Sequence, residues 1–234
     1  MKVLSIGNSF SQDAQRYLYE LAMASGEQFK TVNLYIGGCT LRTHYLNMLD
    51  DNRAYDFQFN GKSTGLRVSI REVLASDEWD IITLQQASPK SFDLSTYSPY
   101  IDALADFVRD YCPHAKILIQ ETWSYEAGSE RLNKFGFSTP REMYDKLHEA
   151  YLTVARAISA DGIIPAGTAM QIAQDMGIKV HRDTFHASYG FGRLLIAHVW
   201  YKTLTGKLAT AEISTDEPVT PDELAIIRTI TEKI

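Results

Sequence analysis

Val3-Leu4-Ser5-Ile6-Gly7-Asn8-Ser9-Phe10-Ser11 is a short apolar run that breaks abruptly into small polar residues. This predicts a strand ending in a tight turn, with the Ser9 hydroxyl presented at the carboxyl edge of a sheet. Open α/β sheets bind ligands at that edge. A serine becomes a nucleophile only beside a base, and the base needs an orienting group. Asp183-Thr184-Phe185-His186, near the other end of the chain, offers both within a single turn.

Working outward from Val3, the pattern alternates strand and helix. Gln12 to Ser25 carries apolar residues at Tyr17, Leu18, Leu21 and Ala22, the spacing of one buried helical face, and Gly26 ends it. Phe29 to Ile36 reads as a second strand running into Gly37-Gly38, and Trp79 to Leu84 as a third. Ile101 to Tyr111 is helical, halted by Pro113; Ala115 to Ile119 is a fourth strand. Thr139-Pro140-Arg141-Glu142 has a cap residue, then proline in the first turn, then an acid, predicting a long helix to about Ser159. Gly162 to Pro165 gives a brief fifth strand, followed by helices over Ala166 to Met176, Tyr189 to Leu204 and Pro221 to Lys233.

Strands separated by helices imply parallel pairing with right-handed crossovers, hence a three-layer α/β/α sandwich around a five-stranded parallel sheet. Residues 1–234 read as one domain, without internal repeat or low-complexity linker. One segment departs from the alternation. Ala54 to Phe59 alternates with period two and meets Asn60-Gly61, a hairpin turn signal. The expectation is an inserted β-hairpin decorating the rim near the substrate mouth.

Composition narrows the function classes. Apolar residues make up 45% and charged residues 22%, ordinary globular usage. The net charge of −6, with no basic run, disfavours nucleic acid or an anionic membrane as partner. The apolar run before Gly7 is too short for a signal-peptide core, and no stretch approaches the length of a membrane span, so a cytoplasmic location is expected. A trimmed secreted chain would read the same way. Cys39 and Cys112 are too few for a disulfide framework.

Several residues could carry chemistry. Asp183 can accept the Nδ1 hydrogen of His186 and leave Nε2 facing a hydroxyl. The same pair also reads as a helix cap beside a surface histidine. His181, Asp183 and His186 make a His-x-Asp-x-x-His cluster, but no further ligand for zinc is offered nearby. Acyl transfer needs donors aimed at a developing oxyanion. Gly37-Gly38-Cys39-Thr40 after the second strand and Leu84-Gln85-Gln86 after the third are the two candidate sources. Cys39 reads as a small buried residue rather than a nucleophile. His44, Trp123 and Tyr125 are candidates for the pocket wall or for packing.

With these motifs in hand, the chain resembles the SGNH hydrolases of the GDSL esterase superfamily over nearly its whole length. In that family the nucleophile follows the first strand in Gly-Asp-Ser, a glycine after the second strand donates its amide, an asparagine in Gly-x-Asn-Asp after the third donates its side chain, and Asp-x-x-His closes the site. Gly7-Asn8-Ser9, Gly38 and Asp183-Thr184-Phe185-His186 match three of these, with Asn8 where the family has aspartate. Gly-x-Asn-Asp is absent, and Leu84-Gln85-Gln86 stands in its place. A nucleophile elbow of the α/β-hydrolase kind fits poorly, because the final glycine of Gly-x-Ser-x-Gly is missing and the serine follows the very first strand.

The resemblance implies a flavodoxin-like fold and a serine esterase. Ser9, His186 and Asp183 would be its triad, and the Ser9 and Gly38 amides with the Gln86 side chain its oxyanion hole, Gln85 being the alternative. It implies no cofactor and no metal. The substrate it implies is a small-molecule or oligosaccharide ester, with acetyl on a carbohydrate favoured over lipid or aryl esters. A glycan-binding module that keeps the fold without the reactivity is the contrasting possibility.

Overall fold

The apolar runs pair as strands because each is buried on both faces, which only a sheet covered by helices allows. A computed structural model describes all residues 1–234. The first half of the chain forms β1 (Lys2–Gly7), α1 (Ser9–Gln15), α2 (Leu18–Ala24), β2 (Lys30–Tyr35), α3 (Leu41–Leu49), β3 (Tyr55–Phe59), β4 (Lys62–Val68), α4 (Ile70–Leu74), β5 (Ile81–Leu84) and α5 (Tyr100–Tyr111). The second half forms β6 (Lys116–Gln120), α6 (Glu130–Lys134), α7 (Pro140–Ala157), β7 (Gly162–Ile164), α8 (Ala166–Asp175), α9 (Phe191–Thr205) and α10 (Pro221–Lys233). No helix is long and apolar enough to cross a membrane.

Strand order is β4-β3-β2-β1-β5-β6-β7. The five strands expected from the sequence are all present and run parallel, β2-β1-β5-β6-β7. The sheet nevertheless has seven strands, because the hairpin joins it: Val32 pairs with Phe59 and Tyr35 with Asp56, antiparallel. The hairpin is therefore a sheet extension. Its Asn60-Gly61 turn lies beside the start of β2, where the Asn60 amide reaches Thr31, at the end opposite Ser9. The expected rim position does not hold, since an antiparallel partner must place its turn at the far end of β2.

Alternation along the strands sorts side chains into two cores. Leu4, Ile6, Ile82, Leu84, Ile117 and Ile119 face one of them, together with the buried faces of α3, α4, α5 and α7. Val3, Ile81 and Leu118 face the other, under α1, α2, α8, α9 and α10. On that second face the sheet also carries buried polar residues that set the position of α1. Ser11 bonds Asn33 at 2.7 Å, and Gln15 donates to Ser5, which in turn bonds Thr83 at 2.7 Å. The helix expected over Gln12 to Ser25 is split at Arg16-Tyr17. Tyr17 lies between the two pieces, and its hydroxyl donates to the Tyr189 carbonyl and accepts from the Asp216 amide.

The strand order reverses at β1: the chain moves to β2 on one side, then crosses to β5 on the other. A crevice opens where such a reversal occurs, at the carboxyl ends of the strands. Ser9 stands there.

The hairpin turn also braces α1 from below. Gly61 has φ +77°, and a Cβ placed there would lie 2.7 Å from the Arg16 carbonyl oxygen, whereas Gly65 has φ +75° with nothing within 4 Å. Gly65→Ala should then cost only the left-handed backbone penalty, about 1 kcal/mol. Gly61→Ala should cost clearly more in chemical denaturation, and equal losses would mean that the turn does not press on α1.

Candidate active site

Ser9 is the first residue of α1, and Asn8 is its cap. The extended Asn8 backbone (φ −147°, ψ −152°) turns the chain from strand to helix, and its side-chain oxygen accepts from the Phe10 amide at 3.0 Å. The same side chain is gripped from two other strand ends: its Nδ2 donates to the Cys39 carbonyl, and its Oδ1 accepts from Gln85 at 2.7 Å. Asn8 thus joins the loops after β1, β2 and β5.

Ser9 and His186, 177 residues apart, meet at 2.9 Å between Oγ and Nε2. His186 Nδ1 donates to Asp183 at 2.7 Å, and the other carboxylate oxygen accepts the His186 backbone N–H at 2.9 Å. With Nδ1 carrying the hydrogen, Nε2 is left to accept the serine proton. Partial burial works to raise the Asp183 carboxyl, but the hydrogen bonds from the His186 ring and backbone prevail and hold it below its usual value. The carboxylate therefore remains ionised beside the imidazole.

A cavity of about 300 Å³ lies over this relay, and Ser9, Gly37, Gly38, Ser88 and His186 are among its lining residues. Gly38 sits at φ +64°, which turns the loop so that it meets the cavity as bare backbone. The Ser9 and Gly38 amides make no hydrogen bond within the protein. Both are free to serve a developing negative charge.

Gln86 is not among the residues brought together. Its amide nitrogen donates to the Thr96 carbonyl and hydroxyl at 3.0 and 3.1 Å, while its oxygen accepts from the Leu41 and Ala87 amides. It is wholly buried as a brace between the start of α3 and the loop after β5. Gln85, the alternative, is taken up by Asn8. The expected side-chain donor after β5 is therefore missing, because both amides satisfy backbone or side-chain groups that would otherwise be buried unpaired. The residues that do reach the cavity from this loop are Ala87, Ser88 and Pro89.

The remaining candidates fall away from the chemistry. His181 is buried, with Nε2 donating to the Ser124 carbonyl, so it does not converge with Asp183 and His186. Burial pushes the Cys39 thiol up to about 12, which leaves it a poor nucleophile. His44 is fully buried against Tyr55. Trp123 and Tyr125 are buried as supports: Trp123 stacks on Phe10 at 4.2 Å and donates from its indole nitrogen to the Phe185 carbonyl.

The residue most conspicuously absent from the sequence reading is Asp13, one turn beyond Ser9 on α1. It is fully buried, accepts from Arg182 at 2.9 and 3.0 Å and from Arg193 at 2.8 Å, and takes the Ala187 amide at 3.2 Å. Arg182 also donates to the Ala187 carbonyl. This ties the helix that carries Ser9 to the loop that carries His186. An acid on the face of α1 otherwise directed inward is the only local signal for it.

Two measurements test these assignments. Asp13→Asn leaves two largely buried guanidinium groups without their shared partner and should lower stability by about 3 kcal/mol in denaturant titrations. Its turnover should fall further than the loss of folded protein explains. Gln86→Ala should cost about 1–3 kcal/mol by unpairing the Leu41 and Ala87 amides, while kcat changes far less than the ~100-fold expected for a lost oxyanion donor. A hundredfold kcat loss with unchanged stability would reinstate Gln86 in the oxyanion hole.

The family model described as Domain of unknown function (DUF4886) matches residues 2–232. A DUF4886 family protein from Bacteroides uniformis is 31% identical, with a TM-score of 0.91 over 100% of this chain and 93% of that one. A candidate SGNH hydrolase from Slackia heliotrinireducens is 22% identical, with a TM-score of 0.65 over 87% of this chain and 98% of that one. Axe2, an acetylxylan esterase from Geobacillus stearothermophilus, is 16% identical, with a TM-score of 0.59 over 87% and 94%. No curated protein matches the chain. The seven-stranded sheet with its crevice at β1 is thus the SGNH-hydrolase fold, and the chain belongs to the DUF4886 family.

Proposed function

We propose that this protein is a serine ester hydrolase that removes a short acyl group, acetyl in the first instance, from a carbohydrate or similar polar alcohol. The observation that carries the reading is the continuous Ser9–His186–Asp183 relay, with links of 2.9 and 2.7 Å. The small cavity, walled in part by a glycine loop, suits a short acyl chain. The acetyl and carbohydrate preference draws support from the fold shared with an acetylxylan esterase.

The chemistry follows from the geometry. Ser9 Oγ attacks the ester carbonyl carbon as its proton passes to His186 Nε2. The carbonyl oxygen becomes an oxyanion held by the Ser9 and Gly38 amides, each worth about 3 kcal/mol when well placed. The intermediate collapses, the C–O bond to the alcohol breaks, and His186 returns the proton to the departing oxygen. Water then attacks the acyl-serine by the same route, releasing the carboxylic acid and restoring Ser9. Asp183 holds the imidazole in the productive tautomer and stabilises its protonated form.

A fluorophosphonate reagent should label the protein at Ser9 and leave Ser9→Ala unlabelled. Asp183→Asn should reduce hydrolysis of 4-nitrophenyl acetate by about 10³–10⁴-fold while the fold is retained. Wild-type protein that labels no better than Ser9→Ala would end the enzyme reading in favour of a binding module on the same fold.

A further inference from the structure

The cavity holds one fixed charge, and no carboxylate lines it. That charge is Arg131, the second residue of α6. Its guanidinium carbon lies 3.8 Å from the centre of the Phe185 ring, and Phe185 in turn lies 3.8 Å from the His186 ring and tilted against it by 37°, so the three run in contact toward the base. Arg131 takes part in none of the ion pairs of the protein, although carboxylates outnumber its cationic side chains 29 to 23. A planar guanidinium stacked on one face keeps its edge donors free, and those donors match a carboxylate.

The side of the cleft on which Arg131 sits can be assigned from the reaction. His186 returns a proton to the departing alcohol, so that alcohol must lie on the imidazole's flank. Phe185 and Arg131 occupy that flank. Beyond Arg131, a second hollow of about 490 Å³ is bordered by Glu130, Lys134, Phe135 and Thr184 as well as Arg131, giving room for a larger alcohol. Glu130 borders only this outer hollow and not the cavity over Ser9.

Building on the esterase reading, we propose that Arg131 selects esters whose alcohol carries a carboxylate about one ring's length from the ester oxygen, so that the substrate class is an acylated acidic alcohol, an acidic sugar included, rather than a neutral one. A purely structural Arg131, pinning α6 over Phe185, would instead affect neutral and anionic substrates alike.

The test pairs 4-acetoxybenzoate with methyl 4-acetoxybenzoate, which differ in charge at nearly constant shape, each kcat/KM being divided by the rate of spontaneous hydrolysis. Wild-type protein should favour the anion by about tenfold or more, the worth of one charge-assisted contact. Arg131→Met should bring the ratio to within threefold of one and leave the methyl ester within threefold of wild type, while Arg131→Lys should retain part of the preference. A wild-type ratio near one, or a ratio unchanged in Arg131→Met, overturns the proposal. If neither ester is turned over, the esterase reading fails, and calorimetry with 4-hydroxybenzoate decides the anion site independently. Binding weakened about tenfold by Arg131→Met supports the site; equal or absent binding overturns it.

Discussion

The Asp13 carboxylate is the constraint on which the site depends. Strand β1 can deliver Ser9 to the crevice by local rules, but His186 arrives on a loop whose one β pairing is an isolated bridge, His181 with Ala187, and which Trp123 holds at the Phe185 carbonyl. Asp13 ties that loop to α1. It accepts from Arg182 on one side of His186 and from the Ala187 amide on the other, so His186 is clamped between two points fixed to the helix of Ser9. Arg193 extends the clamp to Asp216, which also meets Arg16. Because Asp13 has no exposure, its attraction for these cations is screened little by solvent, and removal of either side is costly.

The second ordering device is neutral. Asn8 uses both ends of its amide to hold the loops after β1, β2 and β5, and Gln85 and Gln86 secure those loops in turn. Cavity-lining backbone is thereby held rigid while neither glutamine amide from the end of β5 enters the cavity. Such preorganisation is what makes backbone amides effective toward developing charge. The Ser9 and Gly38 amides stay unpaired where the SGNH-hydrolase pattern has an asparagine side chain nearby.

Much of this was legible in the chain because the signals are local. Short apolar runs identified the five parallel strands, Thr139-Pro140 marked a helix start that the structure keeps, and the last helix begins at Pro221 as expected. Asp183 and His186 lie three residues apart, so their bond follows from one turn of chain. What escaped is long-range. The pairing of Val32 with Phe59, which turns the hairpin into part of the sheet, has no local signature. Strand alternation indicates which way Gln86 points but not that Thr96 on a later turn will capture it. Asp13 and its arginines are 169 and 180 residues apart.

The hairpin bears on how the molecule behaves in a crowd. An open sheet ends in unpaired backbone groups that can recruit another chain. Here one border is β7, only three residues long, and the other is β4, whose Lys62 and Arg67 are charged and whose interior holds Gly65 at φ +75° beside a register shift against β3. Neither border offers a long flat template, so the polypeptide closes its own margins against runaway self-association.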